Sequence, residues 1–334
     1  MRVLVTGGAG FIGSNFVHRT LLTRPEVEIT VADSFTYAAN PASLQDANGQ
    51  WICAVERVDV RDAQQIAPLI ARHDVVVHFA AESHNDNSLR HADPFVTTNV
   101  LGTVEVAKAC VAHGVRLHHI STDEVFGDLA LDDPQRFTRE TPYRPSSPYS
   151  ASKAAADHFV RAWVRSYGLE ATISNCSNNY GPRQHPEKFI PRQICGLLEG
   201  KRPRLYGSGE NVRDWIHVDD HNDAVWAILD RGEVGQTYLI GADGERSNLD
   251  VVKQLLRAFE LPADGFVHVT DRPGHDMRYA IDPSSIQELG WQPKYEFDAG
   301  LAQTVQWYSD NRTWWADAYA LAEAKYATVE HEIA

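Results

Sequence analysis

The sequence lacks the features that mark several large protein classes. Cysteine occurs only four times in 334 residues, at Cys53, Cys110, Cys176 and Cys195. None forms a CxxC pair and none stands at zinc-finger spacing, so a disulfide scaffold and a structural zinc site are excluded and no metal is expected. Scattered, reduced thiols suit the cytoplasm. No apolar run approaches the roughly 20 residues of a membrane span. The opening MRVLVTGG reads as strand and turn, without the length or flanks of a secretory leader. Bases are in deficit, 31 Lys and Arg against 45 Asp and Glu, for a net charge of −14. Such a field repels nucleic acid and anionic lipid, so neither is an expected partner. Internal repeats and low-complexity tracts are missing too.

What remains is ordinary globular composition, 43% hydrophobic and 23% charged, and enough chain for about two domains. Short Val- and Ile-rich runs stand at Val3–Thr6, Ile29–Ala32, Asp74–Ala80, Val115–Ser121 and Ala171–Asn175. They barely alternate in polarity, as expected of strands buried on both faces. Helical patterns at Gly10–Thr23, Asp62–Ala71, Thr98–His113 and Pro148–Tyr167 separate them. Repeated βα units predict an α/β fold with a doubly wound, mostly parallel sheet. After Asn178, Pro182, Pro186, Pro191 and Pro203 break the pattern, and Thr237–Gly241 returns to it. The expected division is a nucleotide-binding domain over 1–177 plus about 217–242, and a smaller α/β substrate domain over about 178–216 and 243–334.

Strand Val3–Thr6 runs into Gly7-Gly8-Ala9-Gly10-Phe11-Ile12-Gly13, a G-x-G-x-x-G pattern between a strand and a helix. Glycine permits the sharp turn and lets a pyrophosphate approach the helix N-terminus. Asp33, twenty residues after Gly13, stands where a carboxylate bonds a ribose diol and repels a 2′-phosphate. No base lies between Asp33 and Gly49, which favours NAD over NADP. The bland alternative is an ordinary βα turn with a helix-capping aspartate. Motif, context and spacing together point instead to a Rossmann dinucleotide site.

Tyr149 and Lys153 are four apart on a predicted helix and so share a face. A neighbouring ammonium and a cationic nicotinamide ring would both favour the phenolate, making Tyr149 a base for a hydroxyl proton. Ser121 and Thr122 end the Val115–Ser121 run and can complete that site. These residues resemble the extended short-chain dehydrogenase/reductase family. Asp123 and Glu124 follow directly, at the carboxyl edge where such sheets carry their sites. An isolated Asp-Glu would more simply cap the next segment or face solvent.

The segment Ser121-Thr122-Asp123-Glu124-Val125-Phe126-Gly127 is similar to the active-site segment of the dTDP-glucose 4,6-dehydratases. So are Phe79–His84, Asn175–Pro182, Pro186–Pro191, Arg213–His221 and Asp271–Asp276, in order along residues 1 to about 310. Phe126 replaces the family's more usual tyrosine, and Asn85 stands where it often has a valine. The resemblance implies oxidation of glucose C4, elimination of water across C5–C6 and return of hydride to C6, with NAD regenerated. It makes Tyr149 the base for O4, supported by Lys153, and Thr122 the residue that positions O4. It makes Glu124 the C5 base and Asp123 the C6 acid, roles that spacing alone does not assign. One of these carboxyls must be ionised and the other protonated.

The same resemblance carries over the contacts. For NAD they are Gly7, Gly10, Phe11, Ile12, Gly13, Asp33, Ser34, Phe35, Thr36, Asp59, Val60, Phe79, Ala80, Ala81, Ser83, Thr98, Ser121, Tyr149, Lys153 and Asn179. For dTDP-glucose, Ser83, Thr122 and Asn178 lie near the sugar; Arg213, Asn248, Arg272 and His275 hold the diphosphate. Lys188, Phe189, Arg204, Leu205 and Tyr206 line the nucleotide end. Seven bases against three acids over Arg183–Arg213 give this acidic chain a local positive patch. That patch is either a solvated surface or, as the resemblance implies, the anion site.

Four other functions compete. A UDP-sugar 4-epimerase or a uronate decarboxylase could use Tyr149, Lys153 and NAD, but needs no Asp123–Glu124 pair; a UDP-sugar 4,6-dehydratase differs only in the nucleotide. A non-catalytic NAD sensor would need the glycine loop but not the tyrosine–lysine couple. Related enzymes pair two helices per subunit into a four-helix bundle. Val100, Val104, Val106 and Val111, with Phe159, Val160, Trp163 and Val164, suggest a homodimer of that kind.

Overall fold

In the structure, a computed structural model, every residue is described except Arg272, Pro273, Val329 and Ala334. Strands with both faces covered make its centre. In chain order they are β1 (Arg2–Thr6), β2 (Glu28–Asp33), β3 (Ala54–Arg57), β4 (Val75–His78), β5 (Arg116–Thr122) and β6 (Ala171–Cys176). There follow β7 (Asn178–Tyr180), β8 (Arg204–Tyr206), β9 (Val212–His217), β10 (Thr237–Ile240), β11 (Glu245–Ser247) and β12 (Val267–Val269). Seven of them pair in parallel in the order β10-β6-β5-β4-β1-β2-β3. Winding reverses at β1, which lies between β2 and β4, and this is where such sheets open a crevice. The α/β, mostly parallel doubly wound fold expected from the sequence is borne out.

The helices are α1 (Phe11–Thr23), α2 (Ala63–Ile70), α3 (Asn85–Arg90), α4 (Asp93–Phe95), α5 (Thr103–His113) and α6 (Pro148–Tyr167). After them come α7 (Phe189–Leu198), α8 (Val218–Arg231), α9 (Asn248–Ala258), α10 (Ser284–Gln287), α11 (Phe297–Asp310) and α12 (Arg312–Tyr326). Strand alternation sorts β1 between two cores. Val3 and Val5 pack with Phe16 of α1 and Val225 of α8, while Leu4 packs with Ile66 of α2 and Val106 of α5. A third core joins Leu205, Trp215, Leu255, Tyr308 and Trp315 beside the small sheets β11-β9-β7 and β12-β8.

Helix α6 sets the catalytic geometry. Ser147 and Ser150 form a reciprocal capping box, Pro148 occupies the first turn, and Gly168 ends the helix at φ 68°. The stretch expected as a helix from Thr98 is helical from Asp93, through α4 and a π-helical segment Val96–Gly102 into α5. Pro94 falls in the first turn, where its missing N–H costs nothing. The resulting 21-residue run is long and apolar enough, by length and composition, to cross a membrane, contrary to the sequence reading. In the fold it packs against α2 and α6 and is just under half buried.

Candidate active site

The carboxyl ends of β1, β4 and β5 converge on one cleft. Gly7 leaves β1 at φ 69°, and a Cβ there would stand 2.6 Å from the Ala80 nitrogen beyond β4. Only glycine fits between these backbones. No side chain caps α1, so its first-turn N–H groups remain for an anion. The Asp33 carboxylate accepts the Ala9 N–H at 2.9 Å and the Phe35 N–H at 2.8 Å, tying the end of β2 to the glycine loop. Burial pushes this carboxyl above its ordinary value, against the pull of the two amide bonds.

Of the residues assigned to the cofactor, all but Phe35 line this cleft: the glycine loop, Asp33, Ser34, Thr36, Asp59, Val60, Phe79, Ala80, Ala81, Ser83, Thr98, Ser121, Tyr149, Lys153 and Asn179. The Phe35 backbone sits at φ 54°, its N–H donates to Asp33, and its ring packs against Trp51 and the core. Arg61 also lines the cleft, beyond the stretch searched for bases. Its guanidinium pairs with Asp59 at 2.6 Å.

Tyr149 and Lys153 face the cleft from α6, and Thr122 faces it from β5. The Lys153 ammonium donates to the Ile120 carbonyl at 2.7 Å. Burial lowers its affinity for the proton, while the Asp157 charge acts the other way. The Tyr149 phenol is pushed well up by burial and then by the Glu124 charge, with a smaller opposing pull from Thr122. The sequence argument for a favoured phenolate therefore does not hold in the protein alone. Lys153 spends its bond on a carbonyl, and the Glu124 carboxylate opposes a second anion.

Asp123 and Glu124 begin a 3-10 turn after β5, capped when the Glu124 N–H donates to Thr122 Oγ1 at 3.4 Å. Asp123 is completely buried, and its Oδ2 has no hydrogen-bond partner among the described residues. Burial, then the charges of Glu124 and Asp214, raise its carboxyl well above the usual range. Glu124 is half-buried and accepts the Asn85 side-chain amide at 3.3 Å. The two adjacent carboxyls thus occupy different environments.

A second cleft adjoins the first and shares Glu124, Ser83, Asn178 and Lys188 with it. Phe189, Tyr206, Arg213, Asn248 and His275 line it. Arg213 donates to the Val212 and Asp276 carbonyls at 2.7 and 2.9 Å and lies over the Tyr279 ring. Neutral acceptors hold the guanidinium in place without cancelling its charge. Arg204 and Leu205, expected at the nucleotide end, line neither cleft. Leu205 is fully buried in the third core, because its strand neighbours Arg204 and Tyr206 point the opposite way. The Arg204 guanidinium turns to Glu332, at 3.2 Å, and to Glu330. Arg272 lies outside the described residues. Sequence reasoning missed Glu187, Tyr279 and Tyr326, all on the second cleft. Glu187 sits inside the quoted Pro186–Pro191 segment, but nothing local marks the two tyrosines.

Residues 4–304 match the family described as GDP-mannose 4,6 dehydratase. A dTDP-glucose 4,6-dehydratase of Mycobacterium tuberculosis (strain ATCC 25618 / H37Rv) is 60% identical over 330 residues, 98% of each chain. The chain belongs to the dTDP-glucose 4,6-dehydratase family. The crystal structure of DesIV, the dTDP-glucose 4,6-dehydratase of Streptomyces venezuelae, with NAD and TYD bound, superimposes with a TM-score of 0.91 at 45% identity. That match covers 95% of this chain and all of that one. The UDP-glucose 4-epimerase of Thermus thermophilus in complex with NAD matches with a TM-score of 0.85 at 29% identity, over 93% of this chain and all of that one. The shared architecture therefore spans two chemistries, and the residues around the hydride site must distinguish them.

Proposed function

We propose that this chain is an NAD-dependent hydro-lyase that converts dTDP-glucose to dTDP-4-dehydro-6-deoxy-glucose. The residues present fit NAD. The α1 N-terminus suits its diphosphate, and Asp33 suits a ribose diol. Ser177 Oγ and Asn179 Oδ1 are buried on the cleft without hydrogen-bond partners among the described residues. When bound, NAD supplies an acceptor for hydride from C4 and gives that hydride back at C6.

Tyr149 takes the O4 proton, Thr122 orients O4, and Lys153 holds a positive charge beneath them. A ketone at C4 makes the C5 proton acidic, because the carbanion it leaves is an enolate. Glu124 removes that proton and gives it back to C5 as hydride arrives at C6. Asp123 gives a proton to the C6 oxygen, which leaves as water. The Arg213 charge, with Asn248 and His275, serves the diphosphate, and Lys188 lines the nucleotide end.

The observation that carries this reading is the Asp123–Glu124 pair, one carboxyl fully buried, its proton affinity raised by burial and by the charges around it, the other half-buried beside an amide donor. An epimerase has no use for such a pair. The test is stopped-flow absorbance on dTDP-glucose. Tyr149→Phe should form little reduced nicotinamide. Asp123→Asn and Glu124→Gln should form it and then stall, with water loss slowed by about 10²–10⁴-fold. Full turnover by the double carboxyl variant would overturn the dehydratase reading in favour of epimerisation. We place the enzyme in the cytoplasm as a homodimer; four cysteines without disulfides support the first, and an exposed apolar helix face supports the second.

A further inference from the structure

We infer that Glu330 is a positioning residue for the nucleotide end of the substrate: it clamps one wall of the second cleft through Tyr206 and Arg192. This rests on reading that cleft as the nucleotide-sugar site. Glu330 follows α12, is buried, and lines neither cleft itself. Its two carboxylate oxygens accept the terminal nitrogens of Arg192 on α7, at 2.5 and 2.8 Å. The Tyr206 hydroxyl on β8 donates to the same Oε1, and the Arg204 guanidinium stands 3.7 Å from Oε2. Arg192 and Tyr206, the two groups it holds together, both line the cleft.

That wall needs a clamp. Strand β8 has three residues and pairs with β12, which also has three. So short a ribbon does not hold a side chain still by itself. The chain beyond α12 returns along its outer edge: the Thr270 N–H donates to the His331 carbonyl at 2.9 Å, and the Ile333 N–H to the His268 carbonyl at 3.0 Å. Glu330 enters this pairing and reaches across it to Tyr206. Burial and the Glu330 bond push the Tyr206 phenol up, so it stays a donor to that carboxylate. The Tyr206 ring meets that of His275, on the segment after β12, edge-on at 6.3 Å. Arg192 would otherwise be a poor neighbour for the substrate, because an uncompensated guanidinium on the wall would compete with Arg213 for the diphosphate. Glu330 and Glu323, the latter 2.6 Å from its Nε, occupy its fork, and it lies 3.7 Å over the Tyr326 ring. The carboxylate therefore does two things at once: it fixes Tyr206 and takes Arg192 out of the competition.

The test titrates dTDP into NAD-loaded enzyme by calorimetry and follows steady-state turnover of dTDP-glucose, for wild type, Glu330→Ala, Glu330→Gln and Tyr206→Phe. Affinity for dTDP should fall about five- to thirty-fold in Glu330→Ala and less in Glu330→Gln, which keeps an acceptor for Tyr206. KM should rise in step while kcat changes less. NAD affinity should hold, since neither Arg192 nor Tyr206 lines the cofactor cleft. Combining Glu330→Gln with Tyr206→Phe should cost little more than the larger single loss, because both break one link. If the alanine variant does not fold, the glutamine and phenylalanine variants, which keep their bulk, carry the comparison. A lowered melting temperature with wild-type dTDP affinity would make Glu330 a brace for stability alone and overturn the inference, as would additive losses in the double variant. Wild-type enzyme that binds no dTDP overturns the reading of the cleft itself, a result distinct from either.

Discussion

Asp157 and Ser121 meet in a buried hydrogen bond of 3.0 Å directly beneath the hydride site. The same carboxylate oxygen accepts Tyr143 at 2.8 Å and the Asn175 amide at 3.0 Å, and that amide also donates to the Thr122 carbonyl. One side chain on α6 thereby ties together the ends of β5 and β6, from which Thr122, Asp123 and Glu124 depart. Burial alone would push the Asp157 carboxyl up, but His119, Lys153 and Asn175 outweigh it and hold the group below its ordinary value.

Removing this anchor strands several buried donors. Asp157→Ala is expected to cost about 3–5 kcal/mol at neutral pH, the usual range for breaking a buried charged network. Because the folded carboxyl binds its proton less readily than the unfolded one, its stabilisation exists above the unfolded value and fades as pH falls through the folded one. The gap between wild type and variant, read from urea unfolding, should narrow in acid. A constant gap from pH 7 to pH 3 would show that the charge is irrelevant.

The parallel strands were legible because Val and Ile fill them from edge to edge. The edge strand β3 was not: Ala54-Val55-Glu56-Arg57 is largely exposed and carries two charges, so no apolar run marks it. The three-residue strands β7, β8, β11 and β12 are too short for any periodicity. At the site, the glycine loop and Ser121–Glu124 announce themselves as local motifs. Tyr279 and Tyr326 reach the second cleft only through long-range packing: Tyr279 lies under Arg213 and hydrogen-bonds Asp276, and Tyr326 donates to the Glu187 carbonyl. For Arg204 the sequence shows a base but not the carboxylates of the returning C-terminal segment that pair with it.

Asp33 should govern cofactor affinity in two ways, as a ribose acceptor and as the brace for the Ala9 N–H of the glycine loop. Asp33→Ala is expected to weaken NAD binding to stripped enzyme by roughly ten- to a hundred-fold, the worth of one or two charge-assisted bonds. Isothermal titration measures it directly. Unchanged NAD affinity, or NADP bound as well as NAD by the wild type, would refute the assignment.

Asp214 predicts a pH effect on stability. Its Oδ1 accepts the Gly244 N–H at 2.8 Å, while its buried Oδ2 has no hydrogen-bond partner among the described residues. Burial pushes the carboxyl up to about 7. From about pH 4 to 7 the folded state keeps a proton that the unfolded chain releases. Wild-type stability should therefore decline across that window by up to about 1.4 kcal/mol per pH unit from this group. Asp214→Asn removes the slope, so its melting temperature should gain on wild type from pH 4 to 7 and run parallel above. Parallel melting curves throughout would mean the group ionises normally.

Subunit pairing is expected on the face that the sheet leaves uncovered. Of the residues nominated from the sequence, Val106 and Val160 are fully buried against the sheet. Phe159 instead points outward, with its ring 5.7 Å from Trp163, which in turn lies 5.2 Å from Tyr167, one turn apart along α6. Val96, Leu101, Phe159 and Tyr167 are all exposed, an apolar strip along two neighbouring helices that water does not favour. A twofold contact would bury this strip against its own copy. Leu101→Glu combined with Phe159→Glu places carboxylates where the copies would meet, without touching either core. The variant should keep its circular dichroism and sediment near its chain mass of 37.3 kDa, while the wild type sediments at about twice that. Wild-type protein that remains at the single-chain mass at micromolar concentration would remove the dimer, and an unshifted double variant would move the interface elsewhere.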